Sequence, residues 1–464
     1  MGLTDDLLRF DWTGVDAELQ KKTEDAFAEL RLTEEQIERV QRVFLEEMER
    51  GLDKQSESPS SLLMENTFLP ELPNGHETGE YLALDLGGTN FRVMYLRIAD
   101  GKVVEQDFQR FEVDEAHRYG SGEGLFDFLA GCVQSFLREK HPSGRHFELG
   151  FTFSFPMIQK SLDVGILQTW TKSFKASGCV GQDVVKMLNE ALHRRGDINV
   201  DVVAIMNDTT GTLVQGASQD QHCAIGVILG TGSNAAYIER VDRVKKWDHH
   251  QNGIKEVVID VEWGAFGDNG VLDFVRTDVD RAVDDLSLLV SSFTFEKYFS
   301  GKYLGEVFRQ CMLKAHRDGV LFETVSEKLN TANSCTTKHV SMLEKDTIDG
   351  TGHHLEAVME ELQQTHSAAD LVVLRYICAL ITVRAAVLVS ACISVLLKRI
   401  DRDDCSIAVD GTLFKLHPRL ASLMETAIAV LAPKHKFHLF LAEDGSGKGA
   451  ALVAAVAKRL RNRK

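Results

Sequence analysis

The chain is poor in proline and in positive charge. It contains only 7 prolines among 464 residues and no low-complexity tract, so no proline-rich linker is available to separate independent modules. Lysine and arginine total 52 against 69 aspartates and glutamates, which gives a net charge of −17. Because nucleic-acid backbones require basic surfaces, this balance argues against nucleic acid as the main partner. It leaves room for a small phosphorylated ligand, which a few backbone amides can hold.

Cysteines with the spacing of metal or redox sites are also missing. The 8 cysteines, at positions 132, 179, 223, 311, 335, 378, 392 and 405, include no short-spaced pair of the kind that binds zinc or forms a redox dithiol. The N-terminal string MGLTDDLLRF is acidic and only briefly apolar, which is atypical of a secretory signal or a transit peptide. We therefore expect reduced thiols and a cytoplasmic location.

No uninterrupted apolar run is long enough for a membrane span. The most apolar stretch, residues 370–397, is broken by Arg375 and Arg384. Its uncharged part, from Ala385 to Leu397, is too short to cross about 30 Å of hydrocarbon. This stretch predicts a buried core helix rather than a transmembrane one.

Periodicity predicts alternating helices and strands. Residues 33–50 have an apolar stripe at helical spacing, a capping box formed by Thr33 and Gln36, and Gly51 as a candidate stop. Further predicted elements are helices over residues 124–138 and 184–195 and buried strands over residues 148–155 and 201–206.

Glycine-rich turns follow four apolar strands. The four are Gly88-Thr89-Asn90 within a hairpin over 81–111, Gly232-Ser233-Asn234 within a hairpin over 223–240, Asp410-Gly411-Thr412, and the glycines 445, 447 and 449 before an alanine-rich helix. The first two hairpins resemble each other, and this weak repeat suggests two similar α/β halves facing each other across a cleft. Unrelated glycine hairpins can match equally well.

Glycine turns of this kind let backbone amides approach an anion closely. Four of them together would line a nucleotide cleft, although each one alone is also an ordinary tight turn. The last turn is not a P-loop, because Gly449 stands where a magnesium-binding serine or threonine is required. No turn carries the dinucleotide-binding fingerprint.

Several acidic residues are candidates for catalysis or binding. Asp208 directly follows the predicted strand 201–206 and is placed either as a general base or as the cap of a helix starting at Thr209. Asp85, in the first glycine turn, is either a residue facing magnesium or its waters, or a turn former. Glu262 and Glu296 lie in glycine-rich surroundings.

Eight strings in chain order are specific enough to indicate a family. They are LDLGGTNFRV, GFTFSFP, TWTKSFKASG, VVAIMNDTTGTL, GVILGTGSNAAYIE, EWGAFGD, VDGTLFKLHP and EDGSGKGAAL. With them, the chain resembles the eukaryotic hexokinases of the single-unit type over essentially its whole length. EWGAFGD and the WTK–FKASG block are particular to that family.

The resemblance implies an α/β chain with the two-lobed, actin-like or ribonuclease H-like sugar kinase fold and a central cleft. The implied boundaries are a small lobe over 80–207 joined by the C-terminal helix 448–464, a large lobe over 208–447, and N-terminal helices over 1–79 that belong to the large lobe. The segment starting at Arg384 and the helix from Gly447 resemble the family's two connecting elements between the lobes.

The activity implied by the resemblance is transfer of phosphate from ATP to the 6-hydroxyl of a hexose, giving hexose 6-phosphate and ADP, the first step of glycolysis. The expected hexoses are glucose and also mannose and fructose. Magnesium would arrive with ATP, with Asp85 contacting it through water and no metal held tightly by the protein. We expect a monomer, with an oligomer left open, and neither a nucleic-acid partner nor a membrane span.

The resemblance also implies roles for individual residues. Sugar contacts would come from Ser154, Thr171, Lys172, Asn207, Asp208, Asn234, Glu262 and Glu296. Asp208 would take the proton of the 6-hydroxyl, and Lys172 would lie near that hydroxyl and the transferred phosphoryl group. ATP would contact Asp85, Gly87, Gly88, Thr89, Asn90, Arg92, Gly230, Thr231, Gly232, Ser233, Gly301, Lys302, Thr337, Ser341, Gly411, Thr412 and Ser446.

One segment departs from the family pattern. Hexokinases usually carry Asn-Pro-Gly and glutamines shortly before the Phe-Glu-Lys string, whereas residues 288–294 here read LLVSSFT. Phe293 stands where a sugar-contacting glutamine is expected. A stranded sugar hydroxyl costs about 1–3 kcal/mol, which would weaken sugar affinity roughly tenfold to a hundredfold. The departure leaves an alternative open, a sugar-sensing paralogue with little catalysis.

Overall fold

The computed structural model describes residues 2–54, 58–141, 144–171, 173–247, 253–349 and 352–463. The strands are β1 (Glu65–Asn66), β2 (Gly79–Leu86), β3 (Asn90–Ala99), β4 (Lys102–Glu112), β5 (His146–Phe153), β6 (Met157–Ser161), β7 (Val164–Leu167), β8 (Asn199–Met206), β9 (Cys223–Leu229), β10 (Ser233–Arg240), β11 (Glu256–Asp260), β12 (Asp404–Asp410) and β13 (Lys436–Leu441). The helices are α1 (Leu3–Leu8), α2 (Ala17–Ala26), α3 (Glu34–Leu52), α4 (Glu115–Tyr119), α5 (Gly122–Lys140), α6 (Val184–Arg195), α7 (Asp208–Gln219), α8 (Asp278–Asp285), α9 (Thr294–Lys297), α10 (Leu304–Arg317), α11 (Glu327–Asn330), α12 (Thr337–Asp349), α13 (His353–Glu361), α14 (Ala368–Ile400), α15 (Thr412–Leu416), α16 (Leu420–Leu431) and α17 (Gly445–Arg461).

The first sheet has the strand order β4-β3-β2-β5-β8. Strands β2, β3 and β4 form two antiparallel hairpins, while β5 and β8 run parallel to β2. One turn falls at Gly87-Gly88, as predicted, and the other at Asp100-Gly101. Helices α5 and α6, both predicted, pack with the sheet around buried aromatic residues such as Phe136 and Phe151. We call this unit the small lobe.

The second sheet has the strand order β1-β11-β10-β9-β12-β13. Strands β9 and β10 form the predicted second hairpin, and β12 runs parallel to both β9 and β13. Most of the remaining helices, including α1 and α3 near the N-terminus, share one apolar core with this sheet. We call this unit the large lobe.

Helix α14 is the predicted buried core helix. Nearly all its side chains from Val372 to Leu397 are buried. Among the described residues it is the helix long and apolar enough to cross a membrane, and here other parts of the large lobe enclose it. Arg384 is 1 % exposed and donates to both carboxylate oxygens of Asp280, at 2.8 and 2.7 Å. Because these contacts lie within the large lobe, the prediction that Arg384 belongs to a connecting element is wrong.

Helix α3 begins where the sequence predicts but ends later. The Thr33 side chain accepts the N–H of Gln36, and the Gln36 side chain accepts the N–H of Thr33, which completes the capping box. The helix then continues through Gly51 to Leu52. Gly51 is required for packing, because a β-carbon there would lie 2.6 Å from the carbonyl oxygen of Leu62. The prediction of Gly51 as the stop is therefore wrong.

Helices α7 and α17 lie between the two sheets and contact each other closely. Both contribute to a core cluster that also contains residues of the two sheets. A β-carbon on Gly449 would overlap the carbonyl oxygen of Gly211, and one on Gly150 would overlap the carbonyl oxygen of Ala450. Since α17 already begins at Gly445, its glycines lie within the helix and permit this contact. The prediction that they form a glycine-rich loop before the helix is wrong.

Replacing Gly449 with alanine should destabilise the protein. The added methyl group meets rigid backbone at Gly211, and overpacking of this kind costs about 1–3 kcal/mol. Gly131 is a matched control in α5, because a β-carbon there approaches only the flexible end of Arg195. In thermal unfolding we expect Gly449→Ala to lower Tm and Gly131→Ala to keep or raise it. Equal effects of the two changes would contradict the packing argument.

Candidate active site

The first glycine turn lies beside the N-terminal end of α17. Asp85 accepts hydrogen bonds through Oδ2 from Arg92 at 2.9 Å and from the Ser446 hydroxyl at 3.1 Å. Arg92 also pairs with Asp444 at 2.6 Å. Burial lowers the pKa of Arg92, but Asp444 and Asp85 more than offset this, so its pKa is raised. The other oxygen of Asp85, Oδ1, lies 3.8 Å from the β-carbon position of Gly87.

The backbone of this turn is open to an incoming anion. A β-carbon on Gly88 would meet no atom within 4 Å. Thr89 and Asn90, the next two residues, are exposed. Main-chain N–H groups in such an open glycine turn can contact phosphate oxygens directly.

The second glycine turn is hydrogen-bonded to Gly301 and Lys302, which precede α10. The carbonyl oxygen of Gly230 accepts the N–H of Gly301 at 2.8 Å, and that of Thr231 accepts the N–H of Lys302 at 3.0 Å. The Thr337 hydroxyl donates to the carbonyl oxygen of Gly301 at 2.8 Å. Five of the predicted nucleotide residues are therefore in one hydrogen-bonded group.

The third and fourth turns meet through Asp410. Its carboxylate accepts the N–H of Gly411 at 2.7 Å and the N–H of Gly445 at 2.8 Å. Gly411 has φ +125 and lies against the last carbonyl group of β9, where a β-carbon would overlap. Ser446, next to Gly445, reaches Asp85 in the first turn. The first three turns and the N-terminal end of α17 are thus linked by direct contacts.

Four polar side chains form a cluster at the ends of β8, β10 and β11. Asn207 and Asn234 each donate to Glu262 Oε1, at 3.2 and 3.1 Å. Asn234 also donates to Asp260 Oδ1 at 2.7 Å. We call Asn207, Asn234, Asp260 and Glu262 the amide–carboxylate cluster. Donors and acceptors that alternate in this way suit a ligand with several hydroxyl groups, since each hydroxyl both donates and accepts.

Asp208 lies between this cluster and the turns. The side chain of Asn207 accepts the N–H of Thr209 at 3.1 Å, so Asn207 caps α7 and the interpretation of Asp208 as the cap is wrong. Burial raises the pKa of Asp260, and Glu262 and Asp208 raise it further. Burial also raises the pKa of Asp410, and the negative charges of Asp444 and Asp208 raise it further. The half-buried Asp208 therefore acts electrostatically on both sides of the site.

Glu296 lies between the second turn and the segment that contains Gly264. Its Oε2 accepts the N–H of Ser233 at 3.1 Å, and the indole N–H of Trp263 donates to the Ser233 hydroxyl at 2.9 Å. The ring of Phe293 and the carboxylate of Glu296 both face Gly264, at 3.3 and 3.4 Å from the position of a β-carbon there. A β-carbon on Gly232 would lie 3.0 Å from the same carboxylate. The side chains of Phe293 and Glu296 therefore lie side by side against Gly264.

Three non-glycine residues at this site have left-handed backbone. Glu262, Phe293 and Asp444 have φ values of +55, +57 and +60. Each precedes a short helix or α17. Such conformations cost about 1–3 kcal/mol and concentrate at functional sites, because the surrounding structure must hold them.

The remaining predicted residues are Ser154, Ser341, Thr412, Thr171 and Lys172. Ser154 is 8 % exposed, and its hydroxyl oxygen is 3.7 Å from the β-carbon position of Gly87. Ser341 follows Thr337 by one turn on α12, and Thr412 is the exposed first residue of α15. Thr171 is partly exposed. Lys172 lies outside the described residues, so its role stays a prediction.

Sequence reasoning missed three acidic residues that organise the site. Asp260 ends the apolar strand β11, which could have marked it as a partner of a polar cluster. Asp410 belongs to a predicted glycine turn, and it also ends the buried strand β12. Asp444 had no local signal, because its role depends on Arg92, which is far away in the sequence.

Comparisons with known proteins agree with this geometry. Two family models, both described as hexokinase, match residues 22–218 and 224–456. The chain is 40% identical to Hexokinase-1 of Bos taurus and 41% identical to Hexokinase-2 of Homo sapiens, in each case over 454 residues and 96% of this chain. It spans about half the length of these curated relatives, since it covers 49% of each.

Solved structures give the same result for the fold. The hexokinase from Schistosoma mansoni complexed with glucose aligns with a TM-score of 0.84 at 37% identity and covers 95% of this chain and 99% of its own. A second hexokinase crystal structure aligns with a TM-score of 0.84 at 30% identity, over 95% of this chain and 100% of its own. The predicted two-lobed sugar kinase fold is confirmed.

The buried acid in the cluster should make stability depend on pH. Because the folded-state pKa of Asp260 lies well above its ordinary value of 3.8, its contribution to stability is full below that value and is lost as pH rises through the folded-state pKa. Asp260→Asn removes this loss. We expect the Tm of this variant to exceed that of the unaltered protein near about pH 8, and the Tm difference to shrink towards about pH 5. The corresponding difference in the free energy of unfolding changes by at most about 1.4 kcal/mol per pH unit.

Thermal unfolding across this pH range tests the expectation, with Asp278→Asn as the control. Asp278 lies on α8 with its side chain 85 % exposed, so its replacement should change Tm little. A Tm difference for Asp260→Asn that stays constant with pH would contradict the proposed protonation of Asp260.

Proposed function

The chain belongs to the hexokinase family, and we propose that it transfers the γ-phosphoryl group of Mg-ATP to the 6-hydroxyl of a hexose. The observation that carries the proposal is the position of Asp208, which acts on Asp260 of the amide–carboxylate cluster and on Asp410 of the glycine turns. A sugar bound by the cluster and a triphosphate bound by the turns would meet at this carboxylate. Glucose is the first substrate to test, because a similar solved hexokinase was complexed with it.

Asp208 serves as the general base in this proposal. It removes the proton of the 6-hydroxyl as the oxygen attacks the γ-phosphorus, a contribution of about 10²–10⁴ in rate. Phosphoryl transfer otherwise depends on positioning and on charge stabilisation more than on covalent catalysis. Lys172, adjacent to Thr171 in the sequence, supplies positive charge near the transferred group in the same proposal.

The turns hold the triphosphate in this proposal. Main-chain N–H groups of the first and second turns bind phosphate oxygens, and Arg92 adds a charge kept in place by Asp85 and Asp444. The donor set fits Mg-ATP, because Asp85 Oδ1 lies at the open first turn while Oδ2 is already bonded. Magnesium bound to ATP supplies neutralisation of the charge that develops on the phosphoryl group.

Closure of the lobes would exclude water from the site. ATP in an open cleft can be hydrolysed, and sugar-driven closure favours transfer to the sugar over transfer to water. Helices α7 and α17 connect the two sheets, and their N-terminal ends carry Asp208 and Gly445. In the proposal, a small rotation about these helices changes the distance between the first turn, in the small lobe, and the second and third turns, in the large lobe.

We also propose a cytoplasmic, monomeric enzyme. All eight cysteines are buried and unpaired. Burial raises the pKa of the Cys179 thiol to about 11 and that of Cys132 to about 12, so both are protonated and poorly reactive near neutral pH. Such thiols are compatible with a reducing compartment.

A sugar-sensing protein with little catalysis is the second candidate, and Phe293 is the observation that favours it. The ring beside Glu296 offers no hydrogen bond to a sugar hydroxyl. A coupled assay at saturating glucose and Mg-ATP separates the two candidates. Formation of glucose 6-phosphate would reject the sensor, whereas sugar binding without product would reject the enzyme.

Replacing Asp208 with alanine should reduce turnover by about 10²–10⁴. The general base is lost, while the cap of α7 remains with Asn207. Steady-state kinetics and a thermal unfolding curve measure this, with Asp278→Ala as the exposed control. Near-normal turnover of the Asp208 variant would remove the residue from the proposed role.

Phe293→Gln should lower the sugar KM, by roughly tenfold to a hundredfold if the amide regains a hydrogen bond to the sugar. Turnover at saturating sugar should change little, because Asp208 is unaltered. Kinetics with glucose as the varied substrate measure both values. An unchanged KM would show that the aromatic ring does not weaken sugar binding.

A further inference from the structure

A single exposed carboxylate ties together the two segments that carry the candidate glutamates. Asp268 Oδ2 accepts the N–H of Phe293 at 3.0 Å, and Asp268 Oδ1 accepts the N–H of Thr294 at 2.8 Å. Asp268 follows Glu262 by six residues, and Phe293 precedes Glu296 by three. Both oxygens of Asp268 are therefore used to fix the start of α9 relative to the segment of Glu262.

The segment of Asp268 is itself fixed to the N-terminal part of the chain. The next residue, Asn269, donates to Glu47 Oε2 at 2.9 Å, and the preceding N–H of Gly267 donates to the Ser61 hydroxyl at 3.2 Å. Ser61 in turn donates its N–H and hydroxyl to Glu47 Oε2, at 2.6 and 2.9 Å. Glu47 lies in α3 and is 1 % exposed. The buried carboxylate of Glu47 therefore holds residues 267–269 in place, directly through Asn269 and indirectly through Ser61.

Helix α9 needs such support to hold its position. It has 4 residues, too few for a helix to be stable by itself. It also begins after Phe293, whose φ of +57 is unfavourable for a side chain of this size. Hydrogen bonds from backbone N–H groups to a carboxylate are stronger than neutral ones, so Asp268 can offset this cost.

We propose that Asp268 is a positioning residue for sugar binding, which fixes Glu296 opposite Glu262 so that both carboxylates face one sugar. The proposal rests on the proposed hexokinase function. Asp268 does not touch the sugar or ATP in it. Glu47, through Asn269 and Ser61, keeps Asp268 in place.

The test is Asp268→Asn in the full chain. An amide has one acceptor oxygen, so one of the two N–H groups loses its partner and Glu296 shifts. A residue that positions a sugar contact equally in ground and transition states changes KM and not kcat. We expect the glucose KM to rise about tenfold, with kcat and the ATP KM within about twofold of the unaltered values.

Asp273→Asn is the matched control, an exposed acid five residues further along the same segment. Asn269→Ala removes the contact with Glu47 without altering Asp268, and should raise the glucose KM by a smaller factor. Glucose affinity measured from tryptophan fluorescence gives a second reading that does not need turnover, because Trp263 contacts Ser233 beside Glu296.

The outcomes separate this inference from the proposed function. A raised glucose KM and Kd with an unchanged kcat supports it. A fall in kcat or Tm with unchanged glucose KM and Kd assigns Asp268 to folding alone and overturns it. If the unaltered protein binds glucose but does not turn it over, the enzyme proposal fails while the Kd comparison still decides the role of Asp268. If the unaltered protein does not bind glucose, both proposals fall.

Discussion

The contact between the backbones of α7 and α17 is the constraint on which the rest of the molecule depends. Glycines at 211 and 449 allow the two helices to touch without side chains between them. The N-terminal end of α7 carries Asn207 and Asp208, and that of α17 carries the bonds to Asp410 and Asp85. A side chain at Gly449 would push the two helices apart and so increase the distance between their N-terminal ends. The packing of two helices therefore sets the distance between Asp208 and the glycine turns.

The second constraint is electrostatic. The site collects several carboxylates in a small volume, which is costly unless each is paired or protonated. Arg92 pairs with two of them at the turns, and Asn234 donates to two others in the cluster. Asp260 responds to burial and to its charged neighbours by a raised pKa. Protonation of Asp260 reduces the negative charge that the cluster must accommodate.

Local pattern predicted most of the fold because the elements are locally encoded. The capping box of α3, the two glycine hairpins and the boundaries of α6 depend on residues a few positions apart. The errors concern residues whose role depends on distant contacts. Gly51 and Gly449 read as turn or stop signals, but they are required where another part of the chain approaches. Arg384 was placed between the lobes on resemblance alone, whereas its partner Asp280 lies 104 positions away within the large lobe. The contacts of Asp260 and Asp268 likewise join them to residues that are distant in the sequence.

The departure at residues 288–293 leaves the framework of the site intact. The segment is held through its backbone, since Asp284 accepts the N–H of Ser291 at 3.0 Å and Lys297 donates to the carbonyl oxygen of Leu289 at 2.6 Å. Neither bond involves the side chains that replace the family's usual residues, and Leu288 and Leu289 are exposed at 89% and 51%. Both bonds use backbone groups of the altered residues, so they do not require particular side chains there. The ring of Phe293 lies beside Glu296 at Gly264, so in the proposed function the departure affects sugar affinity through this side chain.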